Sequence, residues 1–205
     1  MNLFYKKFDY FLFDLDNTLY PEIKYLDNAY LEISQFLEYK TKIDSKKIYD
    51  FLVINFKEKG RNKLFNKMFL HFDIDSDFLN DILNILRTVE PEQKIPLFST
   101  IYNILPNIIN QSKKVFVVTN GNTIQQKNKV KNIEWNSLDE SLVFIYANEF
   151  KKKPSNKCYN YIKNKYSLKK DLTIMIGDSL TDKNFAKNSG IRFMFINEFI
   201  NKYNM

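Results

Sequence analysis

The feature that most constrains this chain is the stretch Tyr10-Phe11-Leu12-Phe13-Asp14-Leu15-Asp16-Asn17-Thr18-Leu19-Tyr20. Four apolar residues run unbroken into Asp14, and a second carboxylate follows two positions later. So short an apolar run predicts a strand over 10–14, buried on both faces as in parallel sheets. Side chains at i and i+2 of a strand share a side. Asp14 and Asp16 are therefore expected to project together from the carboxyl end, with Leu15 turned away. Two carboxylates that close repel unless a cation or a proton lies between them. A hard divalent cation such as Mg²⁺ takes oxygen ligands and suits the place. An isolated Asp-x-Asp is also common as two solvated acids, so the rest of the chain has to decide.

After Tyr20 the period changes. Pro21 and Glu22 suit a helix start, and Ile23, Leu26, Tyr30, Ile33 and Leu37 recur at helical spacing. Asp44 and Ser45 predict a capped second helix that Gly60 ends, and residues 62–72 and 77–88 predict two more. No strand is expected between 21 and 88. Residues 88–96, with two prolines, read as a linker, and 99–112 as a helix. Apolar strands then alternate with helices: 115–118, 142–146, 172–176 and 192–196 as strands, 123–132, 155–166, 180–188 and 198–203 as helices. That alternation predicts an α/β fold with a parallel, Rossmann-like sheet flanked by helices. In such sheets ligands lie at the carboxyl ends of the strands, where this chain places Asp14 and Asp16, Thr119-Asn120-Gly121, and Asp178, with Lys153 following the 142–146 strand.

A length of 205 residues allows one domain, or a core with an insertion. The net charge of +7 raises nucleic acid, anionic membrane or a phosphorylated substrate as partners. The basic residues are scattered apart from Lys151-Lys152-Lys153, and no nucleic-acid-binding fingerprint appears, so no nucleic acid partner is expected. The single Cys158 excludes an intrachain disulfide and reads as a small, half-buried side chain near a helix start. The single His71 reads as a structural residue on a helix face. No secretory signal is expected, and no apolar run approaches the ~18 residues of a membrane span. A soluble, cytoplasmic protein without a membrane partner is the expectation.

As a set, Asp14, Asp16 and Asp178 supply oxygen ligands for Mg²⁺. Thr119, the Asn120 and Gly121 amides, and Lys153 supply donors and positive charge for an oxyanion. That is equipment for phosphoryl transfer, in which positioning and charge neutralisation do most of the work, and a carboxylate there can act as nucleophile.

Four motifs in order carry a resemblance to the haloacid dehalogenase-like hydrolase superfamily. They are Phe13-Asp14-Leu15-Asp16-Asn17-Thr18-Leu19-Tyr20, Val117-Val118-Thr119-Asn120-Gly121, Lys153-Pro154, and Gly177-Asp178-Ser179-Leu180-Thr181-Asp182. The resemblance covers essentially the whole chain. It implies a core formed by 1–20 and 89–205, and a helical cap, 21–88, inserted after the first motif. It implies Asp14 as nucleophile, and Asp16 as the acid that protonates the leaving oxygen and then activates water, with its main-chain carbonyl on Mg²⁺. Asp178 would be the third metal ligand, and Asp182 would support the metal or Lys153. Thr119 and Lys153 would hold phosphoryl oxygens, with Lys151 and Lys152 a solvated cluster steering anions. The local similarity of the first motif is to pyrimidine 5′-nucleotidase-type members.

Dehalogenases of this superfamily lack an acid at the position of Asp16, because a halide leaves without a proton. Asp16 therefore favours phosphate chemistry. The expectation is a Mg²⁺-dependent phosphatase acting on a small phosphorylated metabolite, a nucleotide or sugar phosphate, through an aspartyl-phosphate. A phosphomutase is the alternative within the superfamily. A phospho-accepting signalling receiver is the alternative from another class, although its Asp follows the third strand and it has no insertion. Tyr20, Tyr25 and Arg61 are candidates for touching substrate. Oligomeric state is not legible.

Overall fold

The computed structural model describes residues 5–203; the ends of the expected core segments, 1–4 and 204–205, lie outside the described residues. The chain forms two compact units, Met1–Glu22 with Lys94–Met205, and Ile23–Gln93. In chain order the elements begin with β1 (Tyr10–Phe13), α1 (Ile23–Thr41), α2 (Ser45–Lys59), α3 (Leu64–Phe72), α4 (Leu79–Thr88) and β2 (Ile95–Pro96). They continue with α5 (Ser99–Gln111), β3 (Lys114–Thr119), α6 (Thr123–Asn132), β4 (Ile133–Glu134), β5 (Leu142–Tyr146) and α7 (Lys157–Tyr166). The last are β6 (Thr173–Gly177), α8 (Leu180–Ser189), β7 (Arg192–Phe195) and α9 (Ile196–Tyr203).

The first unit is an α/β fold around a five-stranded sheet of order β5-β3-β1-β6-β7. Its strand pairs are parallel, and Phe13 of the central β1 faces Val117 of β3 and Ile176 of β6. From β1 the chain builds outward to β3 and β5, then returns to lay β6 and β7 on the other side. Crossovers leaving a strand in opposite directions open a crevice at its carboxyl end. Asp14, Thr119 and Asp178 sit at the ends of β1, β3 and β6, neighbouring strands about 4.8 Å apart.

All four β1 side chains are buried because both faces are covered. Tyr10 and Leu12 join a core with Phe116, Val118, Tyr159, Met175 and Phe185. Phe11 and Phe13 occupy the opposite face, where Phe13 meets Phe199 of α9 edge-on at 5.7 Å. Each such side chain contributes about 1.5–3 kcal/mol of burial, which fixes the strand carrying Asp14.

Four details differ from the sequence expectation. The strand stops at Phe13, although the Asp14 N–H still donates to Ile176 O at 2.9 Å. Ile95–Pro96, within the expected linker, pairs with Ile133–Glu134 as a second, two-stranded sheet; two-residue strands carry no periodic signal. Helix α9 begins at Ile196, directly after β7. Cys158 is fully rather than half buried, and burial pushes its thiol up to about 11.

The second unit is helical. Leu26, Ala29, Tyr30, Ile33 and Leu37 form the buried stripe of α1, and Tyr25 donates its hydroxyl to Leu86 O of α4 at 3.0 Å. Asp44 caps α2 by accepting from the Lys47 N–H at 3.0 Å, and Gly60, at φ 64°, ends it. The left-handed residues Lys63 and Asp73 bound α3, on which His71 stacks against Phe51 at 4.7 Å. No helix among the described residues is long and apolar enough to cross a membrane.

Candidate active site

Asp14 and Lys153 lie at the centre of the site. Lys153 is 3% exposed. Its ammonium reaches Asp14 Oδ1 at 2.6 Å, Asp182 Oδ1 at 2.6 Å and Val118 O at 2.8 Å. An ammonium has three protons, and here each has an acceptor. A phosphoryl oxygen would have to share or replace one of them. Burial by itself would lower the Lys153 pKa, but Asp14 and Asp182 together hold it above its ordinary value. Asp14 is buried too, and burial pushes its carboxyl up to about 7; Lys153 opposes the rise, while Asp182 and Asp16 add to it.

Asp182 is held by local sequence. It is the third residue of a capping box on α8: its Oδ2 accepts from the Ser179 N–H at 3.2 Å and the Ser179 hydroxyl at 2.6 Å. Gly177 makes room for it, since a Cβ there would fall 2.6 Å from the Asp182 carboxylate. Asp178 lies on the solvent side. Burial of its inner edge raises its pKa first, and the charge of Asp182 adds to that. Oxygens of Asp14, Asp178 and Asp182 all lie within 4.8 Å of one another.

Thr119, buried at the end of β3, places its hydroxyl 3.1 Å from Gln126 Oε1. The Asn120 side chain clamps the lysine-bearing loop, accepting from the Lys153 N–H at 2.7 Å and donating to Lys153 O at 3.0 Å. The Gly121 N–H, an expected donor to an oxyanion, donates here to Asn148 Oδ1 at 3.2 Å. Gly121 adopts φ 130°, and a Cβ there would meet Gln126 Nε2 at 2.6 Å, so the turn requires glycine.

Asp16 is not part of the carboxylate triad. Its partners include the Tyr20 hydroxyl at 2.7 Å on Oδ1 and the Lys129 ammonium at 2.8 Å on both oxygens. The side-chain carboxylates that gather here are those of Asp14, Asp178 and Asp182, whereas the expected metal set was Asp14, Asp16 and Asp178. Any metal role of Asp16 rests on its main-chain carbonyl, the role the sequence resemblance implies. With β1 ending at Phe13, Asp16 is free of the strand alternation that would have aimed it beside Asp14.

The family model for haloacid dehalogenase-like hydrolases matches residues 11–196. The chain belongs to this family. No curated protein sequence matches this hydrolase significantly. Among solved structures it is similar to Bacillus subtilis YfnB in a magnesium-bound form, at 18% identity and TM-score 0.65, covering 91% of this chain and 86% of that one. It is similar to a haloacid dehalogenase-like phosphatase from Thermococcus onnurineus at 21% identity and TM-score 0.59, covering 91% and 85%. It is also similar to the defluorinating L-2-haloacid dehalogenase Rha0230, at 15% identity and TM-score 0.58, covering 92% and 80%.

In this haloacid dehalogenase-like hydrolase the donor chemistry fits a divalent cation. Three carboxylates gather beside a single ammonium that pairs with two of them, and the unfavourable charge on Asp14 would be relieved by a cation bound to oxygen. Asp14, Asp178 and Asp182 would supply the side-chain oxygens.

The sequence reading did not identify Gln126, Lys129 or Glu22 as site residues. The available signal was α6 itself, whose segment has almost no apolar residues and hence a buried face that must be polar. Gln125, Gln126, Lys129 and Asn132 are buried while Ile124 is exposed. Of the suggested substrate-touching residues, Tyr20 and Tyr25 are fully buried with their hydroxyls on Asp16 and Leu86, and Arg61 is exposed beyond α2.

Proposed function

We propose that this hydrolase is a Mg²⁺-dependent phosphatase acting on a small phosphomonoester, a nucleotide or sugar phosphate, through an aspartyl-phosphate on Asp14. The observation that carries the reading is the buried Asp14–Lys153 pair at the sheet's switch point, inside a cluster of carboxylates. Lys153 orients the Asp14 carboxylate, and Asp182 fixes Lys153 from the other side. An Asp14 oxygen bonds to phosphorus as the phosphorus–ester oxygen bond breaks, and Asp16 gives its proton to the departing oxygen. Asp16 then takes a proton from water, whose oxygen attacks phosphorus and frees Asp14 and inorganic phosphate. Bound Mg²⁺ would supply positive charge against the phosphoryl oxygens.

A dehalogenase fold neighbour does not weigh against this reading. A halide leaves as a stable anion, whereas an alkoxide needs the proton that Asp16 can give. We also propose that the helical unit, inserted in sequence after the first motif, is a cap that selects the substrate. The test is a screen of small phosphomonoesters with Mg²⁺ and without any bisphosphate activator. Release of free phosphate that chelation abolishes and Mg²⁺ restores is expected. Release that survives exhaustive chelation, phosphoryl transfer only with a bisphosphate, or no release at all would contradict the proposal.

A further inference from the structure

Lys129 lies in α6, outside the four motifs, and is fully buried. A buried ammonium is tolerated only when paired, and this one lies between two carboxylates: both oxygens of Asp16 at 2.8 Å and Glu22 Oε1 at 2.5 Å. We propose that Lys129, anchored by Glu22, is a positioning residue that aims the Asp16 carboxyl for its two proton transfers. This rests on the phosphatase reading above.

The geometry supports it in four ways. Asp16 lies in a loop beyond the end of β1, so no strand register dictates its direction and side-chain partners must. The Lys129 ammonium on both oxygens sets the direction of the carboxyl, and the Tyr20 hydroxyl on Oδ1 at 2.7 Å restrains the turn of its plane. Gln126, one helical turn before Lys129 on the same face, reaches both the Thr119 hydroxyl at 3.1 Å and Asp16 Oδ2 at 3.4 Å. One face of α6 thus references Asp16 to the strand-end residue Thr119. Finally, the Asp16 side chain keeps 16% exposure while Lys129 has none. The clamp therefore grips from the inner side and leaves an edge for a substrate. Lys129 touches no substrate in this arrangement and acts only through Asp16.

Glu22 completes the device. Its carboxylate holds the ammonium from the far side, and its N–H donates to Asn17 Oδ1 at 3.1 Å, closing the loop that carries Asp16. Without Glu22, a flexible lysine side chain would follow Asp16 rather than restrain it.

The test compares glycerophosphate, whose alkoxide needs a proton, with p-nitrophenyl phosphate, whose leaving group barely does. Lys129→Met should slow single-turnover phosphoenzyme formation from glycerophosphate by roughly 10²-fold, the lower end of general acid–base contributions, with KM little changed and phosphoenzyme formation from the nitrophenyl ester slowed much less; this step is read because Asp16 also serves the later hydrolysis of either phosphoenzyme. Lys129→Arg should recover most of the loss. In an Asp16→Asn background, removing Lys129 should cost almost nothing more, because there is no acid left to aim. Should Lys129→Met not fold, Glu22→Gln/Lys129→Met removes one positive and one negative charge together and takes its place. Equal losses on both esters, or a full additional loss in Asp16→Asn, would show a merely structural lysine and overturn the inference alone. Absence of phosphate release by the wild-type protein would instead overturn the phosphatase reading, and this inference with it.

Discussion

Gly177 stands so close to Asp182 that a Cβ on it would fall 2.6 Å from the carboxylate. Asp182 has nowhere to retreat, since it closes the capping box with Ser179 and pairs with the buried Lys153. A hydrogen in place of a methyl at Gly177 is what lets helix start, ion pair and candidate metal site share one side chain. Gly177→Ala is therefore expected to destabilise the protein by about 1–3 kcal/mol through overpacking. At roughly 2–4 °C per kcal/mol for a chain of this size, the loss is readable by thermal denaturation. An unchanged Tm would show that Asp182 is not held as described.

Asp14→Asn removes a charge while keeping the shape. Lys153 retains Asp182 and Val118 O as acceptors, so the fold should persist. Turnover should fall below about one thousandth of wild type, as expected for loss of a covalent nucleophile. Phosphate release and Tm measured on one preparation check this. Wild-type-like turnover by the folded variant would contradict the role of Asp14.

The raised pKa of Asp14 gives a pH dependence with a definite sign. Burial pushes its carboxyl up to about 7, against an ordinary 3.8. A carboxyl whose pKa rises on folding favours the folded state below its unfolded pKa. That contribution is lost as pH climbs from about 4 through about 7. Mg²⁺ held by Asp14 would compete with the same proton, so it should bind more weakly at pH 5.5 than at pH 8. At a hundred times its Kd a ligand adds about 2.7 kcal/mol of stability. The Mg²⁺-induced rise in Tm should thus be distinctly larger at pH 8. Equal rises at both pH values, or none, would count against Asp14 as a ligand.

Replacing residues 23–93 by a short loop tests the proposed cap. The remaining unit has its own sheet and core, and should still hydrolyse p-nitrophenyl phosphate while losing discrimination among phosphorylated metabolites. A shortened protein that keeps the parent's substrate ranking would place specificity in the α/β unit.

The sheet was legible because β1, β3 and β6 are continuous apolar runs, which only a two-faced burial explains. The catalytic candidates were legible because they stand where those runs stop. The direction of Asp16 was not, because strand alternation ends at Phe13 and a lysine 113 positions away decides it. Lys129 itself is one of 31 basic residues scattered along the chain, and nothing in its neighbours marks it as buried except the shortage of apolar side chains around it. The β2–β4 pair escaped for a simpler reason: two residues cannot show a period.

The central claim is that phosphoryl groups pass through Asp14. A single turnover with a ³²P-labelled phosphomonoester found in the screen, quenched in acid and followed by peptide mapping, measures this directly. The account predicts a hydroxylamine-labile label on the peptide that contains Asp14, absent from Asp14→Asn. Label on another residue, or phosphate released at the full rate with no labelled protein at any time, would contradict it.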